Sequence, residues 1–370
     1  MKWIFAPAQE AFKGARDRWD ELNAARGNHI LLDSLFVDSA LRHFGDENVL
    51  LGVKNDSRHS GLAMFKKKGL GSWETFQPSQ APIGFVLLPK HIDVQAEISA
   101  IMRSLPGYAL QLSLLQQDPN YAMAPYAIES RRFETVDYIV TARIPMVETF
   151  EDYWKTRSTN LRHNISRRRR RMAEKGLVPE LVTLTSAQDA LDALKAYANL
   201  ESKGWKAQLG TAVTLENTQG QFYQDIFQQF LSRGEAAIYQ LRVNGEVIAT
   251  DLCLLRNETL IVLKTTYDEA WKDYSPAILM REEIMKQLFA EKRVRLIEFY
   301  GRAMDWHRQW TDEIRTMYHV NCFRNEWVRS LKEYRERVRA KTPSQDKPET
   351  PQQPSAPIPA FSPAKPVDPK

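Results

Sequence analysis

Asp251 interrupts an otherwise apolar stretch, residues 247–255, on the face it shares with Ala249 and Cys253. A carboxylate buried without a partner is costly, so Asp251 either meets water in a cleft or pairs with a cation. In a cleft, with its pKa raised, it could take the proton from an incoming ammonium. Tyr267 and Asp268 follow the next apolar run. The Tyr267 phenol could protonate a leaving thiolate, and turn packing is the alternative. Glu298, Tyr300 and His307 flank the end of a later strand, with His307 between Trp306 and Arg308. An imidazole there suits packing or solvent at least as well as base chemistry.

The densest positive charge is Arg167 to Arg171, with Arg157, Arg162, His163 and Lys175 nearby. If residues 151–174 form one helix, these guanidinium groups wrap around much of it and cannot all face a core. A solvated helix and a polyanion site both remain open. Arginine pairs with phosphate or carboxylate in a bidentate way, and at an anionic membrane each basic side chain contributes about 1 kcal/mol. The run contains no aromatic residues for base stacking, so no nucleic-acid partner is expected.

Placing these groups requires a sheet. Residues 236–243 alternate as a strand and stop at Asn244-Gly245, a two-residue hairpin signal. Strands at 247–255 and 259–266 follow, making an antiparallel meander. Met280, Ile284 and Leu288 then fall at helical spacing after Ser275 as N-cap and Pro276 at the first helical position. Residues 295–300 return as a strand, parallel to the third through a right-handed crossover. Helical stretches at 187–203 and 219–232 precede the meander. A helix at 36–44, strands at 49–53, 62–65 and 73–76, a helix at 94–103 and a strand at 108–115 repeat the order. This predicts a degenerate internal duplication of one mixed α/β unit.

Where such a parallel pair splays, the exposed edge of 259–266 can pair with an extended, amide-bearing ligand. The helix start at Ser275-Pro276-Ala277 can receive its phosphates. Coenzyme A fits, with a strand-like pantetheine arm and an anionic pyrophosphate. A backbone N–H near Lys264 or Thr265 would hold the oxyanion formed on attack at a thioester.

The segments WKTRSTNLRHNISRRRRR (154–171), LESKGWK (200–206), KTTYDEAWKDYSPAIL (264–279) and EFYGRAMDWHRQWT (298–311) carry a resemblance. Together they make residues 150–325 similar to the GNAT acyltransferase superfamily. The closer likeness is to its cellulose- and exopolysaccharide-biosynthesis acetyltransferases, related in architecture to the FemABX aminoacyltransferases. The superfamily's Gln/Arg-x-x-Gly-x-Gly/Ala loop is not spelled out here; Asp273-Tyr274-Ser275-Pro276-Ala277 stands in its place. The resemblance implies a tandem GNAT-like mixed α/β fold with a degenerate first copy, and acetyl-CoA or another acyl-CoA as donor. It also implies a sugar or lipid-linked precursor of a surface polysaccharide as acceptor. Under it, Asp251, Tyr267 and His307 are the catalytic candidates. Lys264, Thr265, Ser275, Pro276, Ala277 and Tyr300 would meet the donor. Arg162, Arg167, Arg168, Trp205, Lys206, Glu298 and Trp306 would meet the acceptor. An aminoacyl-tRNA-dependent ligase and a non-catalytic scaffold remain as alternatives.

Composition sets the outer bounds. The 370 residues, 43% hydrophobic and 26% charged, suffice for two domains. These are expected at 1–145 and 146–340, followed by a disordered tail at 341–370 in which a protein partner could dock. From 342 to 370, nine of 29 residues are Pro. A net charge of +5, from 51 basic and 46 acidic side chains, is a modest excess. No apolar run approaches the roughly 20 residues that span a bilayer, and the first residues do not read as a signal peptide. Cys253 and Cys322 have no CxxC spacing and read as buried thiols. These features predict a cytoplasmic protein, with peripheral membrane contact through residues 151–175 as an option. The seven His are scattered, so no metal site is expected. GxSxG is missing, which argues against a serine hydrolase.

Overall fold

The computed structural model describes residues 2–54, 60–90, 92–204, 210 and 212–341. Trp205, Lys206 and the Pro-rich segment lie outside the described residues. In chain order the main elements are β1 (Ile4–Pro7), α1 (Arg16–Ala25), α2 (Ser34–Phe44), β2 (Val49–Lys54), β3 (Gly61–Gly69), β4 (Ser72–Thr75), β5 (Val86–Leu87), α3 (Val94–Ser104) and β6 (Gln111–Gln117). Next come β7 (Phe133–Pro145), α4 (Phe150–Thr156), α5 (Thr159–Ala173), β8 (Pro179–Leu184), α6 (Ala190–Lys203) and α7 (Thr218–Ser232). The chain continues through β9 (Ala236–Val243), β10 (Glu246–Arg256), β11 (Thr259–Tyr267), α8 (Pro276–Glu291), β12 (Leu296–Glu298), α9 (Asp305–Trp310), β13 (Ile314–Phe323) and α10 (Glu326–Lys341).

Two compact units interleave along this order. Among the described residues, the first holds those up to Thr141, Glu216–Gln229 and Arg315–Lys341; the second holds Ala142–Leu215 and Phe230–Ile314. Residues 216–229 and 315–341 therefore belong to the first unit, although a division in sequence order assigns them to the second. The reason is pairing and packing. β13 is antiparallel to β6, with Asn321 opposite Ser113, and Phe222 of α7 meets Phe36 edge-on at 5.5 Å.

The first unit's strands run β1-β2-β3-β4-β6-β13-β7, with β5 on β3. In the second unit, the end of β7 is followed by β12, β11, β10, β9 and β8. Each unit contains the repeated motif: three antiparallel strands, a helix, and a strand returning parallel to the third. β4 pairs with β6 at Ser72↔Gln111, Trp73↔Leu112 and Glu74↔Ser113. β11 pairs with β12 at Thr259↔Leu296, Leu260↔Ile297 and Ile261↔Glu298. Three residue pairs join each parallel couple, and beyond them the strands part.

The first copy fills its opening from within. The Leu115 N–H donates to Thr75 Oγ1 across the gap (3.0 Å). Gly84 sits so close that a Cβ there would lie 3.1 Å from Thr75 Oγ1 and 3.3 Å from the Leu115 carbonyl. The absent side chain is what lets residue 84 occupy the wedge. β11 and β12 are paired from Thr259↔Leu296 to Ile261↔Glu298.

The second unit's core is formed by Ile144, Leu161, Ile165, Met172, Leu241, Ile248, Leu260, Leu279, Ile284, Leu288, Ile297 and Trp310 among others. α8 is buried nearly all round its first half, Pro276 to Met280 included, which fixes where its N-terminus meets the sheet. The single helix expected over 151–174 is two helices. The chain turns extended at Arg157, and Ser158 caps the second, its hydroxyl accepting from the Leu161 N–H (3.2 Å). Among the described residues, no helix is long and apolar enough to cross a membrane.

Candidate active site

The site begins with a parity change in β11. The Leu296 N–H donates to the Glu258 carbonyl, so by alternation residues 258, 260 and 262 face β12. At the other end the Asp268 N–H donates to the Ile248 carbonyl, so residues 264, 266 and 268 face β10. The switch is a β-bulge. Cys253 pairs with Val262, whereas Leu252 pairs with Lys264, leaving Leu263 as the extra residue. The backbone N–H groups of Thr265 and Tyr267 therefore point into the opening, on an edge that no described strand covers. Of the two residues expected to supply an oxyanion donor, Thr265 has the right orientation. The Lys264 N–H is directed to β10.

Behind this edge lies a buried charge pair. Asp251 sits opposite Thr265 on β10, and Arg281 on α8 approaches it at 2.6 Å with both side chains out of solvent. Burial pushes the Asp251 carboxyl up; the Arg281 guanidinium and the Thr265 hydroxyl oppose that shift. The expected role of Asp251 as the proton acceptor from bound substrate is not what this geometry provides, since no solvent or ligand reaches it. Asp251 instead anchors α8 to the sheet through Arg281, and the Arg281 guanidinium carbon lies 5.2 Å from the Phe299 ring centre.

His307 is also corrected. It is buried, stacked on Trp306 at 3.5 Å and edge-on to Phe299 at 4.8 Å. Its Nδ1 accepts from the Met304 N–H (2.9 Å). Burial and the nearby Arg281 charge push the imidazole down to about 3, so it stays neutral and serves as a packed acceptor. An unfolded imidazole titrates near 6.5, so the unfolded chain binds this proton first. The stability held by the neutral form is complete above 6.5 and falls as pH drops toward 3. A His307→Gln variant should lose less stability than wild type between pH 7 and pH 5 in urea melts; an equal loss in both would show that His307 is not the group.

Tyr267 ends β11, half-buried; burial and then the Glu269 carboxylate push its phenol up, so it stays protonated and able to donate. The helix start differs from expectation. Ser275 occupies the N-cap position in the left-handed region (φ 49°), and its hydroxyl turns back to the Lys272 carbonyl (3.4 Å) instead of capping. Ser275, Pro276 and Ala277 are buried, so they offer an anion little open surface. The cations stand at the rim: the Arg171 guanidinium carbon and Lys175 Nζ lie 5.7 and 5.6 Å from the Tyr274 ring centre, and Lys272 is exposed beside it.

The basic helix α5 divides its arginines. Arg169 bridges to Glu282 (2.5 Å) and to Glu283 on α8. Arg167 is exposed and donates to Asn164 (3.0 Å). Arg168 is half-buried, its guanidinium pushed down by burial and then by Arg167 and Arg171. Arg162 donates to Thr159 Oγ1 (3.5 Å). Glu298 and Tyr300 are buried, Tyr300 with φ 50°.

A polar groove of about 420 Å³ was not anticipated. Thr156, Arg157, Ser158, Asp305, Arg308, Gln309 and Asp312 line it, and Arg157 reaches Asp312 at 3.3 Å. Gln309 Oε1 is buried there without a hydrogen-bond partner. The break between α4 and α5 creates the groove, and that break was hidden in the sequence by the assumption of one continuous helix.

Residues 159–308 match the family model described as an acetyltransferase (GNAT) domain. No curated protein matches the chain. Among solved structures, FemX is similar at 10% identity with a TM-score of 0.56, covering 90% of this chain and 100% of that one. The C-terminal domain of an Agrobacterium fabrum protein described as a candidate lysylphosphatidylglycerol synthetase is similar at 12% identity and TM-score 0.52, covering 88% and 97%. A conserved Bacteroides thetaiotaomicron protein of unknown function gives 13% and 0.53, covering 86% and 99%. At such identities the likeness is one of fold. The chain has a mixed α/β, GNAT-like fold.

Proposed function

We propose that this GNAT-fold acyltransferase moves an acyl group from a coenzyme A thioester to an amine or hydroxyl of a sugar or lipid-linked precursor of a surface polysaccharide. The observation that carries the reading is the uncovered β11 edge after Ile261, where Thr265 and Tyr267 turn backbone N–H groups into the gap. An extended pantetheine amide can pair along that edge. The Thr265 N–H suits the developing oxyanion, and the half-buried Tyr267 phenol suits protonation of the leaving thiolate. The Arg171, Lys175 and Lys272 cations suit the donor's phosphates. No covalent enzyme intermediate is required, because bringing acceptor and thioester together supplies much of the rate. With Asp251 and His307 occupied elsewhere, the acceptor's proton passes to water as Tyr267 gives its own to the leaving thiolate, and water returns a proton to Tyr267.

The acceptor half of the reading is supported by the polar groove. Arg157 and Arg308 donate, Asp305, Asp312 and Gln309 accept, and such a mixture suits a polyhydroxylated molecule. A second reading, aminoacyl-tRNA-dependent transfer of the FemABX kind, is favoured by the fold likeness to FemX over 90% of the chain.

A thermal-shift panel of CoA thioesters tests the donor. A ligand at 1,000 times its Kd stabilises by about 4 kcal/mol, so the correct thioester should raise the melting temperature clearly. Charge reversal at Arg171 and Lys175 should weaken that protection while leaving the unliganded midpoint in place. Protection by no thioester, together with tight tRNA binding that depends on Arg167 to Arg171, would replace this reading with the second.

A further inference from the structure

α10 presents the wrong side to its own unit. Its large apolar residues Trp327, Leu331, Tyr334 and Val338 are 58%, 43%, 65% and 45% exposed. Spaced by four, three and four positions, they fall within a sector of roughly 60° at 100° per residue. The opposite side attaches the helix through polar contacts. Arg329 Nη1 donates to the Arg131 and Phe133 carbonyls (3.2 and 3.0 Å), and Lys332 Nζ meets Glu134 at 2.7 Å. A surface helix ordinarily buries such a stripe and exposes its charges; here the order is inverted. Arg335 and Arg337, both exposed, lie roughly 80° to either side of Trp327 on the wheel. The acidic Glu333 meets Arg329 (2.8 Å) on the attached side and lies 3.9 Å from Arg337 through its other oxygen.

We propose that α10 is a docking surface for an anionic lipid bilayer, lying in the plane of the interface with its Trp-Leu-Tyr-Val stripe inserted. Three observations select lipid over a second copy of the chain. Trp and Tyr, half of the stripe, have the apolar body and polar tip that favour the headgroup region. The flanking guanidinium groups are complementary to anionic headgroups and long enough to reach them while their stems follow the stripe inward. The helix has 16 residues, little more than two heptads, where a stable coiled-coil seam needs three or four. The basic helix α5, by contrast, has no comparable exposed apolar stripe: its Leu161, Ile165 and Met172 are buried.

The test is sedimentation of the full chain with vesicles of phosphatidylglycerol and phosphatidylcholine in equal parts, and with phosphatidylcholine alone. The chain should partition onto the anionic vesicles and weaken as salt is raised. Changing Trp327→Ser together with Leu331→Ser should lower partitioning at least about tenfold with an unchanged melting temperature, because the lost contact is apolar and exposed. Arg335→Gln with Arg337→Gln should remove the preference for anionic over neutral vesicles. Reversing Arg167 and Arg170 on α5 should leave partitioning unchanged. The proposal is overturned if the chain stays in the supernatant, if the α5 variant abolishes binding and the stripe variant does not, or if analytical ultracentrifugation without lipid shows a dimer that the stripe variant dissociates.

Discussion

Replacing Arg281 by Met should destabilise the second unit by about 3–5 kcal/mol, because it strands the Asp251 carboxylate where no water reaches it. At 2–4 °C per kcal/mol for a unit of this size, the corresponding fall in melting temperature is roughly 10 °C. The partner experiment separates charge from packing. Asp251→Leu combined with Arg281→Met removes both charges and should recover most of the loss, since paired burial costs nearly what it returns. A single Arg281→Met variant that melts like wild type would show that the pair carries no charge.

The pH dependence has a definite sign. Burial already holds Asp251 above its ordinary value while Arg281 opposes that shift, so removing Arg281 raises the carboxyl further. The native variant then binds a proton that the unfolded chain releases near pH 3.9. A group with a raised folded pKa contributes stability that is full below the unfolded value and is lost as pH rises toward the folded one. The deficit of Arg281→Met should therefore be smaller near pH 5 than near pH 7. Urea melts at the two pH values measure it.

The repeated unit was readable because its signals are local. Asn244-Gly245 marks the β9–β10 turn, Pro276 marks the first residue of α8, and the strand at Ala236–Val243 ends where its alternation ends. What sequence order concealed was long-range. β7 and β13 gave no strand expectation, and β13 reaches back to pair with β6 some two hundred residues earlier. No local period encodes such a partner, and it is this pairing that draws the C-terminal segment into the first unit.

The sequence marks the region around Asp251 and leaves its partner unmarked. Asp251 in an apolar strand signals that its carboxylate needs a cation or a cleft. The cation is Arg281, thirty residues on in α8, and no local period links the two positions. Nearly the whole circumference of α8's first half is buried, so its face could not be inferred from amphipathicity. The bulge at Leu263 left no mark at all, since an extra residue in a run of Leu, Ile and Val preserves its apolar character. Yet that single insertion decides which amides face the ligand.

The bulge also yields the most discriminating kinetic prediction. With residues 264, 266 and 268 bonded toward β10 and Thr265 facing the gap, proline at 265 deletes an N–H that no ladder bond uses. Proline is tolerated on a strand whose N–H faces outward, and Lys264 before it is already extended as proline requires. Thr265→Pro should fold, bind acyl-CoA through the remaining contacts, and lose about 10²- to 10³-fold in kcat, the usual effect of removing one oxyanion donor. Thr265→Val isolates the backbone from the side chain. It keeps the N–H and loses only the hydroxyl, so kcat should stay close to wild type. Lys264→Pro, one residue away, removes a bond to β10 and should lower the melting temperature. Thiol release from the thioester that protects best gives kcat for all three. If the Pro and Val variants at 265 turn over alike, or if only the 264 variant is impaired in kcat, the oxyanion donor is not the amide that the bulge presents.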